Sequence, residues 1–115
     1  MKKSIIYTIL IVIIALIVYT IINYNVKPGK YDDFAKCLTE KGAVMAGTDW
    51  CSYCKKQKEA FGKSFKYIDY KNCDFEKTWC DENGVEGYPT WVIDGETYSG
   101  VQSMERLGSL TGCEA

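Results

Sequence analysis

The sequence predicts an α/β domain preceded by one N-terminal transmembrane helix. Three observations carry this prediction. Residues Ile5 to Ile22 form an 18-residue apolar run, IIYTILIVIIALIVYTII, with no charge, Gly or Pro. Beyond it, short β-prone runs alternate with segments of helical spacing, the order that builds layered α/β folds. Turn residues separate these segments, notably Gly42, Gly84 and the Asp94-Gly95 pair.

At ~1.5 Å per helical residue the apolar run spans roughly 27 Å, enough to cross a hydrocarbon core. Being apolar all round, it is not the amphipathic helix of a soluble domain. A cleaved signal peptide is the competing reading, but that needs a shorter apolar region and a small-residue cleavage site. Here Asn23-Tyr24-Asn25-Val26-Lys27-Pro28 follows instead. The expectation is an uncleaved anchor over residues 1–25, a linker over 26–30 broken by Pro28 and Gly29, and a folded domain over 31–115.

Within the domain, Tyr31, Phe34, Ala35 and Leu38 have helical spacing, with Asp32 and Asp33 at the end where the helix dipole favours acids. Gly42 ends that helix. Ala43-Val44-Met45-Ala46-Gly47 reads as a buried central strand. Cys54 to Phe65 reads as a helix, Phe65 to Tyr70 as a second strand, and Phe75 to Asn83 as a short helix closed by Gly84. Tyr88 to Ile93 is β-prone and opens with Pro89. Asp94-Gly95 is a two-residue hairpin signal leading into Glu96 to Ser99, and Ser103 caps a last helix, Met104 to Leu110.

The 87 residues after Pro28 hold all six cysteines, Cys37, Cys51, Cys54, Cys73, Cys80 and Cys113. That density in so small a domain suits an oxidising compartment. Lys2 and Lys3 before the apolar run and Lys27, Lys30 and Lys36 after it barely discriminate orientation. The cysteines therefore decide the expected location: a single-pass protein of the cell membrane, its domain on the extracytoplasmic side. Excluding Lys2 and Lys3, 12 Lys and Arg face 15 Asp and Glu, a net charge of −3. No basic patch interleaves with aromatics, so no nucleic-acid partner is expected. The absence of His removes His-based metal sites, Cys-His dyads and Ser-His-Asp triads.

The stretch Thr48-Asp49-Trp50-Cys51-Ser52-Tyr53-Cys54-Lys55-Lys56 then raises a choice between a redox pair, half of a zinc site and a static disulfide. Zinc needs a second ligand pair, and Cys73 and Cys80 are seven apart without His, so no metal is expected. No cofactor is expected either. A redox cysteine needs a lowered pKa, because the thiolate is the nucleophile. A strand passing into a helix at the first cysteine provides a helix N-terminus with free amides there, and the second sulfur sits one turn along. Lys55, Lys56 and Lys58 add positive potential and Asp49 opposes it, although a solvated helix face is the simpler reading of the lysines.

Pro89 adds to this. A strand interior tolerates Pro poorly, but a strand's first residue accepts it, and X-Pro is where a cis peptide costs least. Trp50-Cys51-Ser52-Tyr53-Cys54, the Tyr88-Pro89-Thr90 turn and the α/β order together resemble the thioredoxin superfamily. The resemblance implies a thioredoxin-like fold, a central mixed sheet flanked by helices, with a cis-Pro89 loop lying against the cysteine pair. The ordered set Phe34-Ala35-Lys36-Cys37-Leu38, Asp49-Trp50-Cys51, Cys54, Lys58-Glu59-Ala60-Phe61-Gly62, Cys73, Cys80, Gly84 to Trp91, Tyr98 to Ser103 and Leu110-Thr111-Gly112-Cys113 narrows it. From Tyr31 onward the chain resembles the thioredoxin-like domain that accompanies bacterial, archaeal and plant homologues of vitamin K epoxide reductase.

That resemblance implies Cys51 as nucleophile and Cys54 as resolving thiol, with Trp50, Tyr88, Pro89 and Thr90 docking substrate. It also implies structural disulfides Cys73–Cys80 and Cys37–Cys113 among the fifteen pairings six cysteines allow; a second redox role for Cys73–Cys80 stays open. Relatives in that family often fuse the domain to a four-helix quinone-reducing membrane protein. With one span here, quinone chemistry is expected in a separate chain. Many thioredoxins carry a buried acid six residues before the first cysteine, where this chain has Met45, leaving water or a carboxylate such as Asp69 to handle the proton. The expected function is disulfide exchange, with electrons passing from exported protein thiols to a vitamin K epoxide reductase-like membrane partner. A reductive thioredoxin-like role for exported or cytochrome-maturation cysteines is the alternative, as is a disulfide-stapled adaptor.

Overall fold

The computed structural model describes residues 1–115, with side chains at all but Val26. Helix α1, Lys2–Val26, continues the apolar run at both ends and is long and apolar enough to cross a membrane. None of its candidate span is buried against the rest of the chain. Only Lys27 to Tyr31 separate it from α2, Asp32–Glu40.

Next come β1, Val44–Gly47, and α3, Ser52–Phe61, followed by a 3-10 segment, Gly62–Tyr67. The domain continues with β2, Asp69–Asn72, α4, Lys77–Glu82, and the hairpin of β3, Thr90–Ile93, with β4, Glu96–Ser99. Helix α5, Met104–Thr111, closes the chain. The four strands make one mixed sheet in the order β2-β1-β3-β4. Strand β1 runs parallel to β2 and antiparallel to β3, which is antiparallel to β4.

The central strands are the apolar ones, as a sheet covered on both faces requires. Met45, Trp91 and Ile93 join the larger core cluster with Phe34 and Leu38 of α2, Phe61 of α3 and Leu107 of α5. Ala46 belongs to a smaller cluster built on Cys73 and Cys80 with Trp79 and Val85 around it. The two neighbours Met45 and Ala46 thus serve different clusters, as the period of two along a strand dictates. Ring packing anchors the larger cluster: Phe34 stacks on Phe61 at 6.3 Å, and Phe61 lies 6.0 Å from Trp91.

Turn chemistry follows the sequence closely. Asp94 and Gly95 take φ of 51° and 78°, the pair of positive values a tight I′-type hairpin needs. Ser103 Oγ accepts the Arg106 N–H and caps α5. One boundary moves. The expected helix to Phe65 stops at Phe61, because Gly62 turns the backbone to φ 56°. The segment after it is held by buried Ser64, whose Oγ accepts the Tyr31 N–H at 2.8 Å and donates to Asp32 Oδ1 at 2.9 Å. The β-prone Phe65 to Tyr67 are therefore spent on a 3-10 turn, Ile68 follows with extended backbone, and β2 begins at Asp69.

Candidate active site

Cys51 sits at the junction of β1 and α3, with extended backbone (φ −78°, ψ 118°) that makes it the N-cap. Its Sγ accepts the Cys54 N–H at 3.1 Å. A helix N-terminus leaves amide donors without intrahelical partners, and here a sulfur takes the place usually held by a Ser or Asp oxygen. Both sulfurs are free thiols. Cys51 is 7% exposed and Cys54 0%, so Cys51 is the sulfur that a partner reaches first. Burial pushes the Cys54 thiol up to about 11, and its hydrogen bond to Cys51 adds to the rise. The backbone of Thr48 and the Lys58 cation pull the other way.

Gly47, the last residue of β1, is where Cys54 packs. A Cβ there would lie 2.8 Å from Cys54 Sγ and 3.3 Å from Cε2 of Tyr70. The strand must therefore end in Gly for the second sulfur to fit. Opposite, Ala46 pairs with Thr90, so Pro89 lies one residue further on, beside the Gly47 end of β1. The Tyr88-Pro89 bond is cis, and Pro89 is buried. Its carbonyl accepts the Gly100 N–H at 2.8 Å.

The four residues singled out for docking divide into two kinds. Trp50 and Tyr88 are exposed and meet edge to face, ring centroids 5.9 Å apart. Trp50 Nε1–H donates to Asp74 Oδ2 at 3.0 Å, fixing the indole beside Cys51. Thr90, by contrast, is buried, and its hydroxyl donates to the Gly87 carbonyl at 2.7 Å. It shapes the turn that carries Pro89. Exposed Tyr53, two residues after Cys51, and the Trp50–Tyr88 pair give this end of α3 an aromatic rim.

The remaining cysteines lie in two disulfides, Cys37–Cys113 and Cys73–Cys80. The first joins α2 to the residues after α5. The second closes the loop between β2 and α4, and both of its sulfurs are buried. Among the described residues no cluster suited to a metal ion is present.

Two readings of the sequence need correction. Asp69 pairs with Val44 at the start of β2, whereas Cys54 packs at the Gly47–Asn72 end. Three strand residues separate them, about 10 Å along the sheet, so Asp69 is not the carboxylate behind the cysteines. Lys58 is not part of a solvated face either. Lys55 and Lys56 are exposed, but Lys58 folds back over the Tyr70 ring at 4.1 Å and lies 3.9 Å from Asp49 Oδ1. A further residue escaped sequence reading altogether. Gln57 is fully buried, its Oε1 accepting from Trp91 Nε1 at 3.0 Å and from the Gln102 amide at 2.7 Å, its Nε2 donating to the Gln102 carbonyl at 3.1 Å.

Known proteins carry related sequences. The chain is 37% identical over 87 residues to the thiol-disulfide oxidoreductase LTO1 of Arabidopsis thaliana, covering 68% of this chain and 23% of that protein. It is also 37% identical over 90 residues to protein disulfide isomerase-like 2-2 of Oryza sativa subsp. japonica, covering 65% of this chain and 24% of the relative. The domain is homologous to the thioredoxin-like thiol-disulfide oxidoreductases. The chain spans about a quarter of the length of these relatives. No family model matches. Among solved structures, thioredoxin from Fasciola hepatica aligns with a TM-score of 0.46 at 22% identity, covering 71% of this chain and 92% of the other. The chain's own mixed four-stranded sheet between helices, with the cis Tyr88-Pro89 bond at the end of β1 that leads to Cys51, is a thioredoxin-like arrangement, and the homologues are consistent with a disulfide oxidoreductase.

Proposed function

We propose that this protein is a membrane-anchored thiol-disulfide oxidoreductase whose Cys51–Cys54 pair cycles between dithiol and disulfide. The observation that carries the reading is the placement of two free thiols at the start of α3, Cys51 at the N-cap and the more exposed of the two, with fully buried Cys54 one turn behind it. In the oxidising direction, a substrate thiolate attacks the Cys51–Cys54 disulfide at Cys51 Sγ. Cys54 leaves as thiolate and takes a proton. A second substrate thiolate attacks the substrate sulfur of the mixed disulfide, releasing Cys51, so the substrate gains a disulfide and the pair holds two electrons more. The reducing direction reverses each step, and relative potentials set which one runs.

The resemblance to domains that accompany vitamin K epoxide reductase homologues supports a finer reading. Exported protein thiols are oxidised, and a vitamin K epoxide reductase-like membrane protein takes the electrons. The helix α1, as a single-pass anchor with the domain on the extracytoplasmic side, supports encounter with such a partner, since a tether raises effective concentration without new contacts. The Trp50–Tyr88 rim and Pro89 dock the extended segment that carries the partner sulfur.

The test is trapping with full-length Cys54→Ala in membranes, which leaves Cys51 in a stable mixed disulfide. The reading predicts capture of exported proteins and of the membrane partner through Cys51. Capture of nothing through Cys51 overturns it. A reduction potential near or below ~−270 mV assigns the reductive role instead.

A further inference from the structure

Cys54 must become a thiolate to resolve a mixed disulfide on Cys51, yet it is buried and lacks the acid that Met45 replaces. The groups around it are few. Cys54 itself is faced by Cys51 and Lys58 of α3, the Thr48 backbone and Tyr70 of β2; Asp49 from the loop before α3 and Asp74 from the loop after β2, its carboxylate engaged by Trp50, act on the neighbouring Tyr70. Thr90 and Pro89 on the β3 side carry no charge.

Lys58 is the one cation in this set. It lies four residues after Cys54 on α3, the spacing that places two side chains on one helix face. Its ammonium is held on three sides: over the Tyr70 ring at 4.1 Å, over the Phe65 ring at 5.6 Å, and 3.9 Å from Asp49 Oδ1. The Tyr70 ring and Cys54 Sγ in turn share the space above Gly47. The hydroxyl of Tyr70 is buried with no hydrogen-bond partner among the described residues. Burial, together with the Asp49 and cysteine charges, pushes it up to about 12, so at neutral pH it is a neutral phenol and takes no proton from Cys54.

We propose that Lys58, held between Asp49 and the Tyr70 ring, is a positioning residue for disulfide exchange whose charge stabilises the Cys54 thiolate during resolution. The inference rests on the exchange reading above. Cys54–SH releases its proton to solvent water. The thiolate attacks Cys51 Sγ, the Cys51–Cys54 bond forms as the bond to the partner sulfur breaks, and the partner leaves as a thiolate that is protonated in turn. The attracting charge therefore comes from a cation on the helix that carries the cysteines.

Two readouts on the full-length protein in micelles test this. In a Cys51→Ser background, Cys54 ionisation is titrated by thiolate absorbance and alkylation rate. Lys58→Gln should raise the midpoint and Lys58→Arg should restore it. A merely structural role for Lys58 gives no rise that a second cation reverses. With Cys51 intact, release of thionitrobenzoate from a preformed Cys51 mixed disulfide reports resolution. Each unit of midpoint shift changes the thiolate fraction tenfold, and because nucleophilicity falls with pKa the rate changes by about threefold. An unmoved midpoint in Lys58→Gln, or a raised midpoint that Lys58→Arg fails to bring back, overturns the proposal. Because the titration requires no turnover, it stands apart from failure of the exchange reading, which would appear as wild-type protein unable to release the probe.

Discussion

Replacing Gln57 by Leu probes the framework that holds the cysteine helix against the sheet. Gln57 is the second residue in the run Lys56-Gln57-Lys58 and is fully buried beside Trp91. Its amide satisfies three groups: Trp91 Nε1–H, the Gln102 N–H and the Gln102 carbonyl. Leucine keeps most of the volume and removes every partner. A buried donor left unpaired costs about 1–3 kcal/mol. The Trp91 nitrogen bears that cost in full, since Trp91 is 0% exposed, while Gln102 is partly open to water and bears less. The apolar gain of leucine offsets part, leaving a loss of about 2–4 kcal/mol, a large share of the ~5–15 kcal/mol typical of a domain. The assay is denaturant unfolding of full-length protein, followed by circular dichroism, for Gln57→Leu, Trp91→Phe and the double variant. Removing both partners should cost less than the sum of the single losses, by about 1–2 kcal/mol. Additive losses, or a Gln57→Leu cost below about 0.5 kcal/mol, would refute the reasoning.

Three other outcomes follow from the same geometry. Converting Cys37 and Cys113 together to Ala should destabilise the domain by about 4–5 kcal/mol in the chain-entropy model, against about 2–3 kcal/mol for the Cys73 and Cys80 pair, because the bridged separations are 76 and 7 residues. Unfolding midpoints of the two double variants check the order, which should not reverse. Gly47→Ala drives a methyl to 2.8 Å from Cys54 Sγ, so exchange should slow by more than about tenfold at a stability cost of about 1–3 kcal/mol. A wild-type exchange rate in that variant would show that Cys54 moves aside freely. Raising pH should accelerate resolution by Cys54 continuously toward about pH 11, since burial holds its thiol protonated below that value; a rate already flat above neutrality in stopped-flow mixing contradicts this.

What the sequence made legible was local. The Trp50 to Cys54 stretch, the Asp94-Gly95 hairpin, the Ser103 cap and the Tyr88-Pro89-Thr90 turn each declare themselves within a few residues, because backbone geometry there depends on one or two side chains. Positions decided by tertiary partners did not. Phe65 to Tyr70 is β-prone throughout, yet Ser64 and its bonds to Tyr31 and Asp32 claim the first half for a 3-10 turn. Gln57 sits between two lysines and looks solvated until Trp91 and Gln102, 34 and 45 residues away, supply its partners. Lys58 is indistinguishable in sequence from Lys55 and Lys56; the Tyr70 and Phe65 rings and Asp49 draw it inward. Asp69 fails as the acid behind the cysteines for a reason of register, since the parallel pairing of β1 with β2 sets it at the wrong end of the strand.

The central claim is that Cys51 and Cys54 form one reversible two-electron couple on a frame stapled by the other four cysteines. Equilibrating the full-length protein in buffers of graded thiol-disulfide potential, then alkylating and mapping each cysteine by mass spectrometry, tests it most directly. The account predicts that Cys51 and Cys54 become alkylated together along a single two-electron curve, while Cys37–Cys113 and Cys73–Cys80 remain oxidised across that range. Alkylation of Cys51 and Cys54 that ignores the imposed potential, or reduction of Cys73–Cys80 along the same curve, would contradict it.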